Sequence, residues 1–269
     1  MTLFATMCNQ PQRLAEALAP ARAVLVAQPP VARWGIGYVQ GGEVLLARTP
    51  RASQTPVDLY NALLDAPSDC VIGQAVTEAS AGSSGPSGND NTPPFRFRRW
   101  MYAQQTSARV EEVWPTLVDR LPDFVKRNIR GRSAAEVTFH GMLAMLHDQS
   151  ALDESNLPLA STRRTLGAAL ALVASQLTAA GISGALGNAA VSNGRSLVVA
   201  RTPGEGGAPL YLRRLWVKGE RSERDETFRG VLVVSRAGAH PGEGFEEVPA
   251  GSAVMVSRDL RIDIAPLEG

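Results

Sequence analysis

The sequence predicts an α+β fold in which two largely antiparallel sheets are covered by helices. Two observations carry this. Strand patterns open and close the chain with a helical block between them, whereas a parallel sheet needs strand and helix to alternate. Gly41-Gly42 and Asn193-Gly194 each sit between short apolar runs, a signal for tight antiparallel hairpins.

Taken in order, Leu3–Met7 is the first expected strand, followed by a helix over Gln12–Leu18 with Leu14 and Leu18 at helical spacing. Trp34–Val39 and Val44–Ala47 flank the Gly-Gly turn. Cys70–Val76 and Arg98–Ala103 are further strands. Between them ASAGSSGPSGNDNTPP cannot bury itself, so a loop insertion over 80–91, mobile at its centre, is expected. Helices follow over Val110–Asp119 and Ser133–His147; Ser133 and Glu136 form a capping-box pattern. Thr162–Ala180 is a longer helix closed by Gly181. The remaining strands are Ala185–Val191, Ser196–Ala200, Leu210–Val217, Val231–Ser235, Ser252–Val256 and Leu260–Ile264. No repeat or sharp change of composition divides the chain, so one domain over 1–269 is expected.

Lys and Arg number 27 against 26 Asp and Glu, and a net charge of +1 argues against a nucleic-acid partner. The basic clusters RFRR (96–99) and KRNIRGR (126–132) read as solvated loop or helix-end charge, since no aromatics interleave with the second. The longest apolar-rich stretch, around Leu166–Leu177, contains Ser175 and follows Arg163-Arg164, which predicts a buried helix and no membrane span. MTLFATMCNQPQR has no basic region and no cleavage-site pattern, so no signal peptide is expected. Cys8 and Cys70 fit a reducing cytoplasm, the expected location. His140 and His147 could share a helix face, but without a carboxylate motif beside them neither a metal nor a cofactor is expected.

WMYAQQTS at 100–107 runs from an apolar strand into Gln104, Gln105, Thr106 and Ser107. Side chains just past a strand end are well placed for chemistry, yet Gln and Thr are poor acids and bases at pH 7. With Gln74 they suit a pocket for an amide or amino-acid ligand, or hydrogen bonds to loop backbone. Trp34 reads as core or as a ligand platform, and Gly35 and Gly37 as points of close backbone approach.

Several segments together resemble the class II glutamine amidotransferase domain, an N-terminal-nucleophile (Ntn) hydrolase, and within it the stand-alone branch that includes γ-glutamyl hydrolases of ergothioneine-type biosynthesis. WGIGYVQGGEVLLAR resembles the family's Gly-Trp-Gly-Ile-Gly hairpin, and NTPPF (91–95) its Asn-Thr-His-Pro-Phe. RWMYAQQTS resembles its strand ending in His-Asn-Gly. GRSAAEVTFHGML resembles its Gly-x-Thr-Asp-Ser-Glu helix start. GALGNAAVSNGRSLVVAR resembles its late hairpin, and VVSRAGAHPGEGFEEVPAGSAVMV its closing segment. The resemblance runs nearly end to end and implies an αββα sandwich.

In that family a terminal nucleophile uses its own amine as base, an Arg clamps the substrate carboxylate, Asn and Gly donors hold the oxyanion, and an Asp pairs with the substrate amine. On this chain the nucleophile register falls on Thr2 in place of Cys. Cys8 is no substitute, lying near the end of the first strand. His-Val-Arg aligns with Gln74-Ala75-Val76, so the Arg becomes Val76. His-Asn-Gly aligns with Gln104-Gln105-Thr106, so the oxyanion donors become Gln105 and Thr106. The Asp becomes Ala134, and Pro93 replaces a His.

Two functions follow from the resemblance. One is a catalytically degenerate protein that binds a small amide or amino-acid ligand, or a partner: an active paralogue, another subunit, or a second copy of itself. The other is an N-terminal threonine amidohydrolase, with Thr2 as nucleophile once Met1 is removed, acting on an amide or γ-glutamyl-like substrate other than glutamine. The replaced positions favour the first.

Overall fold

A computed structural model describes residues 1–78, 87–204, 208–217 and 227–268. In the first half the strands are β1 (Thr2–Cys8), β2 (Val26–Ala27), β3 (Val31–Gln40), β4 (Glu43–Thr49), β5 (Val57–Asp58), β6 (Cys70–Thr77), β7 (Phe95–Phe97) and β8 (Trp100–Thr106). In the second half they are β9 (Leu186–Ser192), β10 (Leu197–Ala200), β11 (Leu210–Val217), β12 (Phe228–Arg236), β13 (Glu246–Glu247), β14 (Ser252–Val256) and β15 (Ile262–Pro266). The α-helices are α1 (Leu14–Leu18), α2 (Leu59–Leu64), α3 (Trp114–Asp119), α4 (Asp123–Lys126), α5 (Ala134–Asp148) and α6 (Leu159–Ala179).

A seven-stranded sheet in the order β13-β11-β12-β1-β6-β3-β4 faces a six-stranded sheet in the order β15-β14-β10-β9-β8-β7. All the strand pairings are antiparallel, as the hairpin signals predict. Alternation along each strand sends one set of side chains between the sheets and the other onto helices. Leu3, Ala5 and Met7 meet Met101, Ala103, Ala190 and Val199 in the inter-sheet core. On the outer face Phe4 and Ile36 pack with Leu18 of α1 and Leu59 and Leu63 of α2. On the other side Tyr102 and Val191 pack with Phe139 and Leu143 of α5 and Leu166 of α6. The layers are therefore helix, sheet, sheet, helix, the sandwich that the sequence resemblance implies.

Gly73 shows how closely β1 and β6 are fitted. A Cβ there would lie 2.1 Å from Phe4 Cε1, so the ring occupies the space a side chain would need. Gly73→Ala is expected to cost about 3 kcal/mol through overpacking, read as a lowered melting temperature. Gly35 meets the expected close approach: its Cβ would stand 2.6 Å from the Pro93 carbonyl oxygen. Trp34 is half-buried against the outer core.

Several boundaries differ from expectation; β3 and β12, for example, each begin three residues early, at Val31 and Phe228. The strand read as Arg98–Ala103 begins at Trp100, because Arg98 adopts φ 53° in the β7–β8 turn. The helix expected from Val110 starts at Trp114, where Pro115 fits the first turn and would break a helix interior. The last strand begins at Ile262, with Leu260 at φ 65° in the turn before it. The long helix starts a turn early, at Leu159. The capping box is half realised: Ser133 Oγ accepts from Glu136 N at 3.2 Å, but the Glu136 carboxylate turns to the Arg130 and Gly131 amides. Of the loop expected over 80–91, residues 80–86 lie outside the described residues, and Asn89–Asn91 form one 3-10 turn.

Cys8 and Cys70 are free and buried, and burial pushes both thiols up to about 12. Neither is expected to react with an alkylating reagent at pH 8 until the protein unfolds, which a labelling time course checks. No helix among the described residues is long and apolar enough to cross a membrane.

Candidate functional site

β1, β6, β8, β9 and β12 all bring one end to the same edge of the sandwich, where Thr2 pairs with Ala75 and with Arg236. The inward sets of β6, β8, β9 and β12 turn polar there. Gln74 follows Ile72, Gln105 follows Ala103, Asn188 precedes Ala190, and Ser235 follows Val233. These four side chains lie in the gap between the sheets and are buried.

They bind one another or the backbone across the gap. Ser235 Oγ donates to Gln105 Oε1 at 2.8 Å, and Asn188 Nδ2 donates to Ser235 Oγ at 2.8 Å. Gln105 Nε2 donates to the Met1 and Ser235 carbonyl oxygens at 3.3 and 3.4 Å. Asn188 also donates to Ala208 O at 2.6 Å and accepts from Thr202 N at 3.1 Å. Gln74 Nε2 reaches the Gln104 carbonyl oxygen at 2.8 Å, bridging the two sheets a second time. Its Oε1 is buried and unpartnered, as is Gln104 Nε2.

The other sequence-predicted positions are spread around this network. The Gln104 side chain points the opposite way, accepting from Tyr102 Oη at 2.9 Å. Thr106 Oγ1 donates to Ala185 O and accepts from Ala108 N, both at 3.1 Å, which ties down the strand end. Ala134 packs with Val110, Val113 and Leu117 in a small apolar cluster. Val76 is buried beside β3. Thr2 shares the parity of Phe4, so alternation sends its side chain to the outer face, away from Gln105.

The network consists of amides and one hydroxyl. Such groups donate and accept hydrogen bonds but exchange no proton near pH 7, so it holds no general base. Among the described residues no cluster of His, Cys, Asp or Glu is placed to hold a metal ion.

Arg33 is a charged group near this edge that the sequence reading passed over. It is the cross-strand partner of Val76, so both side chains leave the same face. Its Nε is buried and unpartnered, and desolvation lowers its pKa. Among the described residues no carboxylate pairs with it, and a half-buried guanidinium without a counterion costs stability. Arg33→Met is expected to raise stability by about 1 kcal/mol, measured by denaturant unfolding. Its signal in the sequence was the Arg itself, set inside an otherwise apolar strand before Trp34.

Several side chains of the basic clusters are tied to neighbouring segments. Arg96 donates to Val44 O, Arg98 pairs with Asp153, and Lys126 donates to Asp119 O.

No family model matches the sequence, and no curated protein is similar to it in sequence. Solved structures are similar in fold. A glutamine aminotransferase class-II domain protein from Silicibacter pomeroyi has a TM-score of 0.63 at 15% identity, with 100% of both chains covered. A predicted glutamine amidotransferase from Pseudomonas aeruginosa gives 0.53 at 15% identity, over 97% of this chain and 99% of that one. The glutamine phosphoribosylpyrophosphate amidotransferase from B. subtilis gives 0.55 at 13% identity, and this chain spans 49% of its length. The chain thus has a class II glutamine amidotransferase-like fold, built as an α+β sandwich of two antiparallel sheets between helices.

Proposed function

We propose that this protein is a catalytically degenerate relative of the class II glutamine amidotransferases that works by binding, not by hydrolysis. The observation that supports this most is Gln105: its amide spans the gap between the sheets and bonds to the Met1 carbonyl and to Ser235. An amide already bonded on both sides fills the gap between the sheets at this edge, and it offers no acid or base for hydrolysis. Thr2 facing the outer layer, Val76 in place of a cation, and Ala134 in an apolar cluster support the same reading. The partner is a small amide- or amino-acid-like ligand, or a protein such as an active paralogue or a second copy of this chain. Two buried thiols fit a single-domain protein of the cytoplasm.

Ammonia release from L-glutamine, and p-nitroaniline release from γ-glutamyl-p-nitroanilide, test the proposal. Neither rate should exceed that without protein. Turnover that disappears in Thr2→Ala would overturn it.

A further inference from the structure

β4 and β7 are the edge strands of the two sheets on one side of the sandwich, and between them and α5 lies a cavity of about 810 Å³. None of the residues of the inter-sheet network lines it. Its charged groups are Arg48, Arg96, Arg130, Asp90 and Glu136, three cations against two carboxylates, and the His140 ring forms part of its wall.

The walls are tied in place without a ligand. Arg48 Nε and Nη2 donate to Pro94 O at 2.9 and 2.5 Å, and Nη1 donates to Asn89 O at 3.1 Å. Glu136 accepts from the amides of Arg130 and Gly131, both at 2.8 Å. One side chain thus fixes the 89–94 segment and another the 130–131 segment, so the cavity is preformed.

Donors remain after these bonds. Of its five N–H groups Arg48 has used three, and Arg96 has used one, to Val44 O at 2.7 Å. The exposed Arg130 guanidinium has no partner among the described residues. One acceptor also remains. His140 Nδ1 lies 2.9 Å from the Glu136 carbonyl oxygen and must carry the proton there, which leaves a lone pair on Nε2. That atom is buried and unpartnered, and His140 is 2% exposed. A buried acceptor without a donor is costly in a finished core and useful in a binding site.

The geometry points to a binding site for a small organic anion, a carboxylate or a phosphate ester, that also carries a hydroxyl. Arg48, Arg96 and Arg130 take the anionic group, and His140 Nε2 accepts the hydroxyl proton. The two wall carboxylates leave a small positive excess, which suits a compact anion better than a polyanion. Tyr38 and Phe95 supply apolar surface for its carbon frame. This inference does not depend on the loss of hydrolysis proposed above.

Isothermal calorimetry on the full chain tests it with L-malate, succinate, glycerol 3-phosphate, n-propyl phosphate and uncharged glycerol. Saturable binding is expected for L-malate or glycerol 3-phosphate, with at least a fivefold preference over the analogue lacking the hydroxyl, and none for glycerol. Binding of malate alone assigns the site to carboxylates; binding of glycerol 3-phosphate alone assigns it to phosphate esters. Arg130→Gln removes an exposed head that holds no other element, and should weaken binding about tenfold with unchanged melting. His140→Phe should erase the hydroxyl preference while anion binding persists. No saturable binding by any charged probe, an unchanged affinity in Arg130→Gln, or a hydroxyl preference intact in His140→Phe would overturn the assignment.

Discussion

Gln105→Ala is expected to lower stability by about 3 kcal/mol, or roughly 6–12 °C in melting temperature for a domain of this size. The substitution removes both ends of the bridge at once. Ser235 Oγ loses its acceptor while still accepting a hydrogen bond from Asn188, and the Met1 carbonyl loses its donor. Each buried group left without a partner costs about 1–3 kcal/mol, and the empty space between the sheets adds a packing loss. Gln105→Asn is the discriminating companion: its chain is one methylene shorter and cannot span the gap. It should fall between wild type and the alanine variant. Equal stability of all three proteins, in urea unfolding at neutral pH, would mean that the amide does not bridge the sheets.

A second large effect lies at Glu136 and His140, four residues apart on α5 and buried together beside the side cavity. Burial pushes the Glu136 carboxyl up to about 7, against the two backbone amides and Arg48 that favour its charge. Burial likewise drives His140 down to about 4. Between their ordinary and folded values the two act with opposite sign. The folded state holds the Glu136 proton more tightly than the unfolded chain, so stability is lost as pH rises from about 4.5 through 7. The unfolded chain holds the His140 proton more tightly, so stability is lost as pH falls from about 6.5 through 4. In wild type these slopes largely cancel between pH 4.5 and 6.5. His140→Phe should unmask a fall in stability with rising pH, and Glu136→Gln a rise, each on the order of 2 kcal/mol across its window. Denaturant midpoints taken at half-unit pH steps read the slope, whatever constant offset each substitution brings. Two flat profiles would contradict the account.

Much of the fold was legible because it rests on local pattern. The Gly41-Gly42 and Asn193-Gly194 hairpins stand as read, with both glycines of the first pair and Gly194 at positive φ. What was not legible was short or non-local. α2 has six residues, too few for a periodic face, and announces itself only through Asp58, whose side chain caps the Tyr60 amide. β7 has three residues and was not read at all, and the next strand was begun at Arg98 because an Arg at positive φ carries no turn signal. At the candidate site the sequence picked out Gln74, Gln104, Gln105 and Thr106 but had no means to find their partners. Ser235 lies 130 residues from Gln105, and Asn188 lies 47 from Ser235; only sheet register joins them. Register also distinguishes Gln104 from Gln105, adjacent in sequence and facing opposite layers.

The central claim, that the sheet edge at Thr2 is filled and not reactive, is tested most directly by intact-mass spectrometry before and after an electrophile that acylates N-terminal threonine. The account predicts no adduct on the folded protein, whether or not Met1 has been removed. A stoichiometric adduct that is lost in Thr2→Ala would contradict it and show an open pocket with a live nucleophile.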